Sequence, residues 1–182
     1  MSGPLSPHSD DLREYYFSAP TAVVAIDALE FRHPAFVDDD GHPAAARFAN
    51  DPQLELVAIL EDGAPMNAGE TVTFSRGQFD LSLPESSSPG LPTCQISVAN
   101  IGRDLMEPIE QAVSVPQPIS VTYRQFLSDD LTQPGVVIDG MTIRDINASG
   151  LRITATAGFE DDLNTPYPRA KYTPQEYPNL VR

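Results

Sequence analysis

The stretch from Gly150 to Leu180, GLRITATAGFEDDLNTPYPRAKYTPQEYPNL, most constrains what this chain can fold into. Leu151, Ile153, Ala155 and Ala157 alternate with Arg152, Thr154 and Thr156, the period of two that a half-buried strand requires. The expected strand stops at Gly158. Beyond it Pro166, Pro168, Pro174 and Pro178 each remove a backbone donor and fix φ near about −65°, so neither a helix nor a central strand continues through them. An extended arm is therefore expected over residues 165–182. Along it Tyr167, Tyr172 and Tyr177 recur every five residues, a period of neither helix nor strand, so each ring is expected to occupy its own pocket on its own subunit or a neighbour.

The same punctuation runs through the chain, with 18 prolines and 11 glycines among 182 residues. Many turns and short strands follow from it, more than long helices. Hydrophobic residues at 41% suffice for the core of one domain. The expectation is a mainly β fold: a single sandwich or small barrel with one packed helix and extended N- and C-terminal arms. Residues 1–20 read as a flexible leader anchored by Tyr15, Tyr16 and Phe17. Residues 21–164 read as the β-rich body, with an insertion at 37–52.

Within the body, Thr21–His33 reads as a strand apolar on both faces, and Asp27 within it requires a partner or a bend. Pro43–Asn50 suits two turns of helix, with Pro43 at the first position. Strands are expected at Leu54–Leu60, in two runs across Glu70–Leu83, and at Thr93–Ile101. In the last of these Cys94, Ile96 and Val98 share a face, so Cys94 reads as a small buried hydrophobe. Ile101, Leu105, Ile109 and Ala112 or Val113 fall at helical spacing and predict a helix over Asp104–Val113, which Pro108 kinks or starts. Val136–Asn147 and Leu151–Gly158 predict a hairpin.

A net charge of −15 with a pI near 4.3 argues against a grip on nucleic acid, because phosphate binding is driven by Lys and Arg. Ordinary acidic solubility explains the balance; so does an acidic ring through which DNA slides. Cys94 is the sole cysteine, which excludes a disulfide-stapled domain. No signal peptide and no apolar membrane span is expected.

Catalytic and metal constellations fail one by one. His8, His33 and His42 have no second His or Cys at ligand spacing, and Asp38-Asp39-Asp40-Gly41 lacks the alternation of an EF-hand loop, so no metal is expected. No nucleophile elbow, phosphate loop or dinucleotide fingerprint appears, so neither a cofactor nor an enzyme is expected. Glu160, Asp161 and Asp162 suggest a glycosidase pair, but adjacent acids point different ways and more often mark a solvated strand exit.

The run Phe159-Glu160-Asp161, Leu163-Asn164, Pro166-Tyr167-Pro168, Tyr172-Thr173-Pro174 and Tyr177-Pro178 resembles the close of a family of tail proteins from long non-contractile-tailed bacteriophages. That family is filed mostly as a domain of unknown function. It is similar in gene setting and role to the minor tail proteins that join the tail tube of lambda-like phages to the tail tip. The resemblance spans about Thr21 to Leu180, with an added acidic and alanine-rich piece near Val37–Pro52.

It implies a structural ring or adaptor of the tail tip, distal tail or baseplate hub, in three or six copies around the DNA channel. Its partners would be copies of itself, the tail tube and the hub, with no membrane and no sequence-specific nucleic acid. Its place would be the virion tail, after assembly in the host cytoplasm. The docking residues implied are Phe159, Tyr167, Pro168, Tyr172, Pro174, Tyr177 and Pro178. The alternative from composition is a soluble β-sandwich that binds a ligand or glycan, which the absence of Trp disfavours. Replacing Glu160, Asp161 or Asp162 singly by Gln or Asn is expected to leave biological activity intact. A hydrolysis lost with an unchanged melting curve would contradict this.

Overall fold

A computed structural model describes residues 10–18, 23–38, 40–50, 55–82, 93–99, 112, 115–149 and 152–159. In chain order these form helix α1 (Asp10–Ser18) and strands β1 (Ala25–Val37), β2 (Pro43–Ala49), β3 (Leu56–Ile59), β4 (Thr71–Arg76), β5 (Phe79–Ser82), β6 (Thr93–Ala99), β7 (Ser120–Leu127), β8 (Val136–Ser149) and β9 (Arg152–Phe159). The strands make one sheet in the order β3-β4-β2-β1-β7-β8-β9-β6-β5. Every described pairing is antiparallel except β2 with β4.

One connection sets the shape of this sheet. β4 stands second in the order and β5 last, which in a flat sheet would separate them by roughly 34 Å at about 4.8 Å per strand. Only Gly77 and Gln78 join them, and a link of that length reaches roughly 11 Å at most. The sheet therefore rolls until its ends approach. Gly77 N–H extends the β2–β4 pairing by donating to Ala49 O at 3.0 Å, and Asn50 Nδ2 reaches Phe79 O of β5 across the seam at 3.4 Å. Gly77 suits this approach because a Cβ there would stand 3.0 Å from Phe48 Cβ. No ladder joins β5 to β2 or β4, so the sheet is not closed into a barrel.

Rolling gives the sheet an inside and an outside, and alternation sorts residues between them. Leu29 and Phe31 of β1, Phe48 of β2, Val121 of β7, Met141 of β8 and Ile96 of β6 meet inside. Ile26 and Ala28 of the same β1 face outward and pack with Phe126, Phe74 and Leu56. Leu60 and Ala64, in the segment between β3 and β4, complete this second cluster. β1 is thus apolar on both faces, as its sequence suggests. Cys94 is buried inside, with its Sγ 3.5 Å from Met141 Sδ, and burial pushes its thiol pKa up.

The mainly β expectation is borne out, and three of its details change. Residues 10–18 of the expected leader form α1, in which Leu12, Tyr15 and Tyr16 share a helical face. Leu12 is fully buried in the inner core. Residues 43–49 form β2 instead of a helix: Ala46 and Phe48 alternate toward the inside, and β1 offers an unbroken ladder partner from Ala45 to Ala49. Pro43 is tolerated because it is the first residue of the strand. The hairpin is longer than its sequence pattern, pairing as far as Ser149 with Arg152. Of the helix expected over 104–113, only Ala112 lies among the described residues, and it is buried in the inner core. Among the described residues no helix is long and apolar enough to cross a membrane.

Leu29 is fully buried whereas Val57 is 52% exposed. Leu29→Ala is expected to cost about 2–5 kcal/mol in urea unfolding, and Val57→Ala to stay within about 0.5 kcal/mol.

Candidate assembly site

The outer face carries a charge cluster that the strand registers assemble. Glu30 of β1 stands beside Arg47 of β2 and Thr122 of β7, with Arg32 two residues along the same face. Arg47 Nε donates to Glu30 Oε2 at 2.7 Å, Arg32 Nε lies 3.2 Å from Glu30 Oε1, and Arg124 Nη1 lies 3.5 Å from Oε2. The last two contacts lack hydrogen-bond alignment and act through charge alone. Arg124 turns its aligned donors to Glu61, with Nε to Oε2 and Nη2 to Oε1 both at 2.8 Å. The side chains of Glu30 and Arg124 are both completely buried.

The cluster extends to solvent on two sides. Arg32 Nη2 donates to Asp139 Oδ1 at 2.9 Å and to Thr122 Oγ1 at 2.8 Å, while the Thr122 hydroxyl donates to Asp139 at 2.6 Å. Arg47 Nη2 donates to Asn67 Oδ1, and Asn67 Nδ2 to Glu70 Oε2. Arg32, Arg47 and Arg124 against Glu30, Glu61 and Asp139 leave no net charge. This balance is what makes a buried set of charges tolerable. The consequence is mechanical, since Glu61, Asn67 and Glu70 tie the segment between β3 and β4 onto the sheet.

Two pKa shifts follow from this geometry. Burial opposes charge on Arg124 but is outweighed by the Glu61 hydrogen bonds and the charge of Glu30, so its pKa rises. Partial burial opposes ionisation of Asp139, yet the Thr122 hydroxyl, the Gly140 N–H and the charges of Arg32 and Arg124 together lower its pKa.

A second polar chain fastens α1 to the inside. The Tyr16 hydroxyl donates to Gln125 Oε1 at 3.1 Å, Gln125 Nε2 to Asp27 Oδ1 at 2.8 Å, and the Tyr123 hydroxyl to the same oxygen at 2.7 Å. Asp27 thus has the partners its position demanded. Burial first, and then the Asp27 carboxylate, push the Tyr123 pKa up.

Other singled-out residues have structural duties. The Ala35 N–H donates to His33 Nδ1, which leaves the ring proton on Nε2 to be donated to Gln117 O at 3.0 Å. Asp38 Oδ1 accepts from the Asp40 and His42 amides, closing the acidic turn on itself. Of the docking residues, Phe159 is placed at the end of β9, half-buried against the inner core. Tyr167, Pro168, Tyr172, Pro174, Tyr177 and Pro178, like Glu160, Asp161 and Asp162, lie outside the described residues. A narrow apolar groove opens on the inner face, lined by Phe31, Ile96, Ile119, Ile146 and Ile153 among others. Tyr16 and Phe17 of α1 are 60% and 87% exposed.

Residues 11–172 match the family described as a domain of unknown function (DUF1833). The chain belongs to that family. The match begins inside α1, which agrees with α1 being docked onto the domain and not a separate leader. No curated protein matches the chain. In this member of the family the charge cluster went unread in the sequence. The available signal was a set of charged residues, Glu30, Arg32 and Arg124, each flanked by large apolar or aromatic residues within its strand.

Arg124→Met would leave Glu30 short of one cation and Glu61 without its bidentate partner. It is expected to cost about 3–5 kcal/mol, the magnitude for breaking a buried pair from one side. Asp139, with its lowered pKa, contributes stability in full above about pH 4, and loses it as the pH falls through the lowered value. Asp139→Asn should therefore flatten the acid limb of a stability-against-pH curve and leave Arg124→Met far more damaging at pH 7.

Proposed function

We propose that the protein is a structural component of a phage tail tip. In this reading it is a distal-tail or baseplate-hub ring or adaptor that joins the tail tube to tip proteins around the DNA channel. It acts as copies of itself, three or six, bound to neighbouring tail proteins, and it catalyses nothing. It resides in the virion tail after assembly in the host cytoplasm. The observation that carries this reading is the closing run from Phe159 to Pro178, with its evenly spaced tyrosines set between prolines.

The physical reasoning runs from the arm to the ring. A segment with prolines at 166, 168, 174 and 178 cannot satisfy its backbone in regular structure, so its binding must come from what its tyrosines bury. Each ring buries on the order of 150 Å², worth a few kcal/mol at about 25 cal/mol per Å². Ordering eighteen residues opposes this with roughly 1–2 kcal/mol each for the backbone, so a partner surface has to supply further contacts. Rings close through such head-to-tail contacts.

The charge balance suits a channel. Arg32, Arg47 and Arg124 are three of the 11 cationic residues and are spent within the buried cluster. The same number of acids balances them there, so the net charge of −15 falls on the rest of the chain, which disfavours adhesion of DNA. The glycan-binding alternative calls for aromatic platforms on a concave face, whereas the inner groove is lined mostly by aliphatic side chains.

Tyr167→Ala, Tyr172→Ala and Tyr177→Ala together, or deletion of 165–182, are expected to lower the assembly mass seen by light scattering while the melting curve of the body persists. A body that unfolds on truncation would show that the arm completes its own core, and the docking role would fall.

A further inference from the structure

β2 and β4 run parallel, but their ladder covers only Phe48 with Ser75 and Ala49 with Arg76. On the N-terminal side of those pairs the two strands part. The direction of each backbone group there follows from bonds at the strand ends and the alternation of two. Asn50 N–H donates to Asp27 O at 2.8 Å, so the even positions of β2 bond to β1. Gly77 N–H donates to Ala49 O, so the odd positions, Ala45 and Arg47 among them, turn to the β4 side. On β4, Leu60 N–H donates to Glu70 O at 3.1 Å, which gives Val72 and Phe74 to β3 and turns Thr71 and Thr73 toward β2. The N–H and C=O groups of Ala45 and of Thr73 therefore point into one gap, with no ladder between them among the described residues.

The gap is a cleft of about 250 Å³. Phe36 and Phe48, both buried in the inner core, line it together with Ala45, Ala46, Thr73 and Ser75. We infer that this cleft is a strand-addition site, which takes an extended peptide segment of a partner protein, apolar on one face and polar on the other. The site belongs to the body and is independent of the closing arm.

Three features select such an occupant. Unpaired N–H and C=O groups on an extended backbone match another extended backbone, and pockets beside them read alternate side chains. Here the apolar side chains of the added strand would meet Phe36 and Phe48, while Thr73 and Ser75 suit its polar side. The edge is also left unguarded. Native sheets protect an open edge with a cover or a charge, and the strands at the two ends of this sheet are partly capped. Ile59 N–H of β3 donates to Leu131 O at 2.9 Å, and Phe79 O of β5 accepts from Asn50. Arg47, the charge nearest the β2 edge, is committed to Glu30 and Asn67.

The test uses the full chain and a short synthetic peptide in which valine and threonine alternate. Amide hydrogen exchange is followed residue by residue by NMR, and affinity by titration. The peptide should slow exchange at Ala45 and Thr73, and the same peptide N-methylated along its backbone should not. Ala45→Pro removes a donor that faces the cleft and spares the bonds to β1, a place where an edge strand tolerates proline. It should weaken binding about fivefold, the scale of one hydrogen bond, with little change in melting. Thr73→Pro should do the same from the other wall, whereas Ala46→Pro, which breaks a β1 bond, should lower the melting temperature.

The N-methylated peptide leaves the protein untouched, so the comparison stands even where a proline variant fails to fold. Equal binding by wild type and both cleft variants would overturn the site. So would protection by the peptide confined to other strands, or none at all. Slowed exchange at Ala45 and Thr73 that grows with protein concentration in the absence of peptide would give the cleft to a second copy and overturn the partner-peptide assignment.

Discussion

The two-residue link between β4 and β5 is the constraint on which the rest of the structure depends. Gly77 and Gln78 can reach only a short way, yet they join strands near opposite ends of the sheet order. A flat sheet is thereby excluded, and with it a fold that buries one face only. Rolling converts the middle strands β1 and β7 into the wall of an enclosed core. Their outer faces would remain open, and β3 with the segment that follows it covers part of them.

Covering that outer face brings charges with it. Glu30 is central in the sheet and wholly buried, a position that an isolated carboxylate could not hold. Arg47, Arg32 and Arg124 surround it, and Glu61 and Asp139 answer the surplus positive charge. Neutrality and bidentate geometry make the arrangement tolerable without making it a large source of stability. Its effect is registry, since Arg124 meets Glu61 only when the β3–β4 segment lies in one position.

The same economy of positive charge bears on the proposed function. The cluster is neutral within itself, so the net charge of −15 is carried by the rest of the chain and the field there is acidic. A body built in this way can stand beside DNA without binding it. What such a body needs in addition is a means of holding its neighbours. In the proposed reading the closing arm meets that need.

Several features were legible in the sequence because they depend on local periodicity or on the covalent chemistry of single residues. Alternation over Leu151–Ala157 and Cys94–Val98 gave strands and the burial of Cys94, and Asp27 inside an apolar strand called for a partner. Prolines excluded long helices by removing donors. Tertiary structure alone decided strand order, the rolling of the sheet, and the choice of strand over helix for residues 43–49, where the β1 ladder prevailed over local propensity. It also decided the charge cluster: Arg124 and Glu61 are 63 residues apart in the chain, and no local pattern shows that they meet. Local sequence specifies which face of an element avoids water, whereas the partner across that face is set by how the whole chain closes on itself.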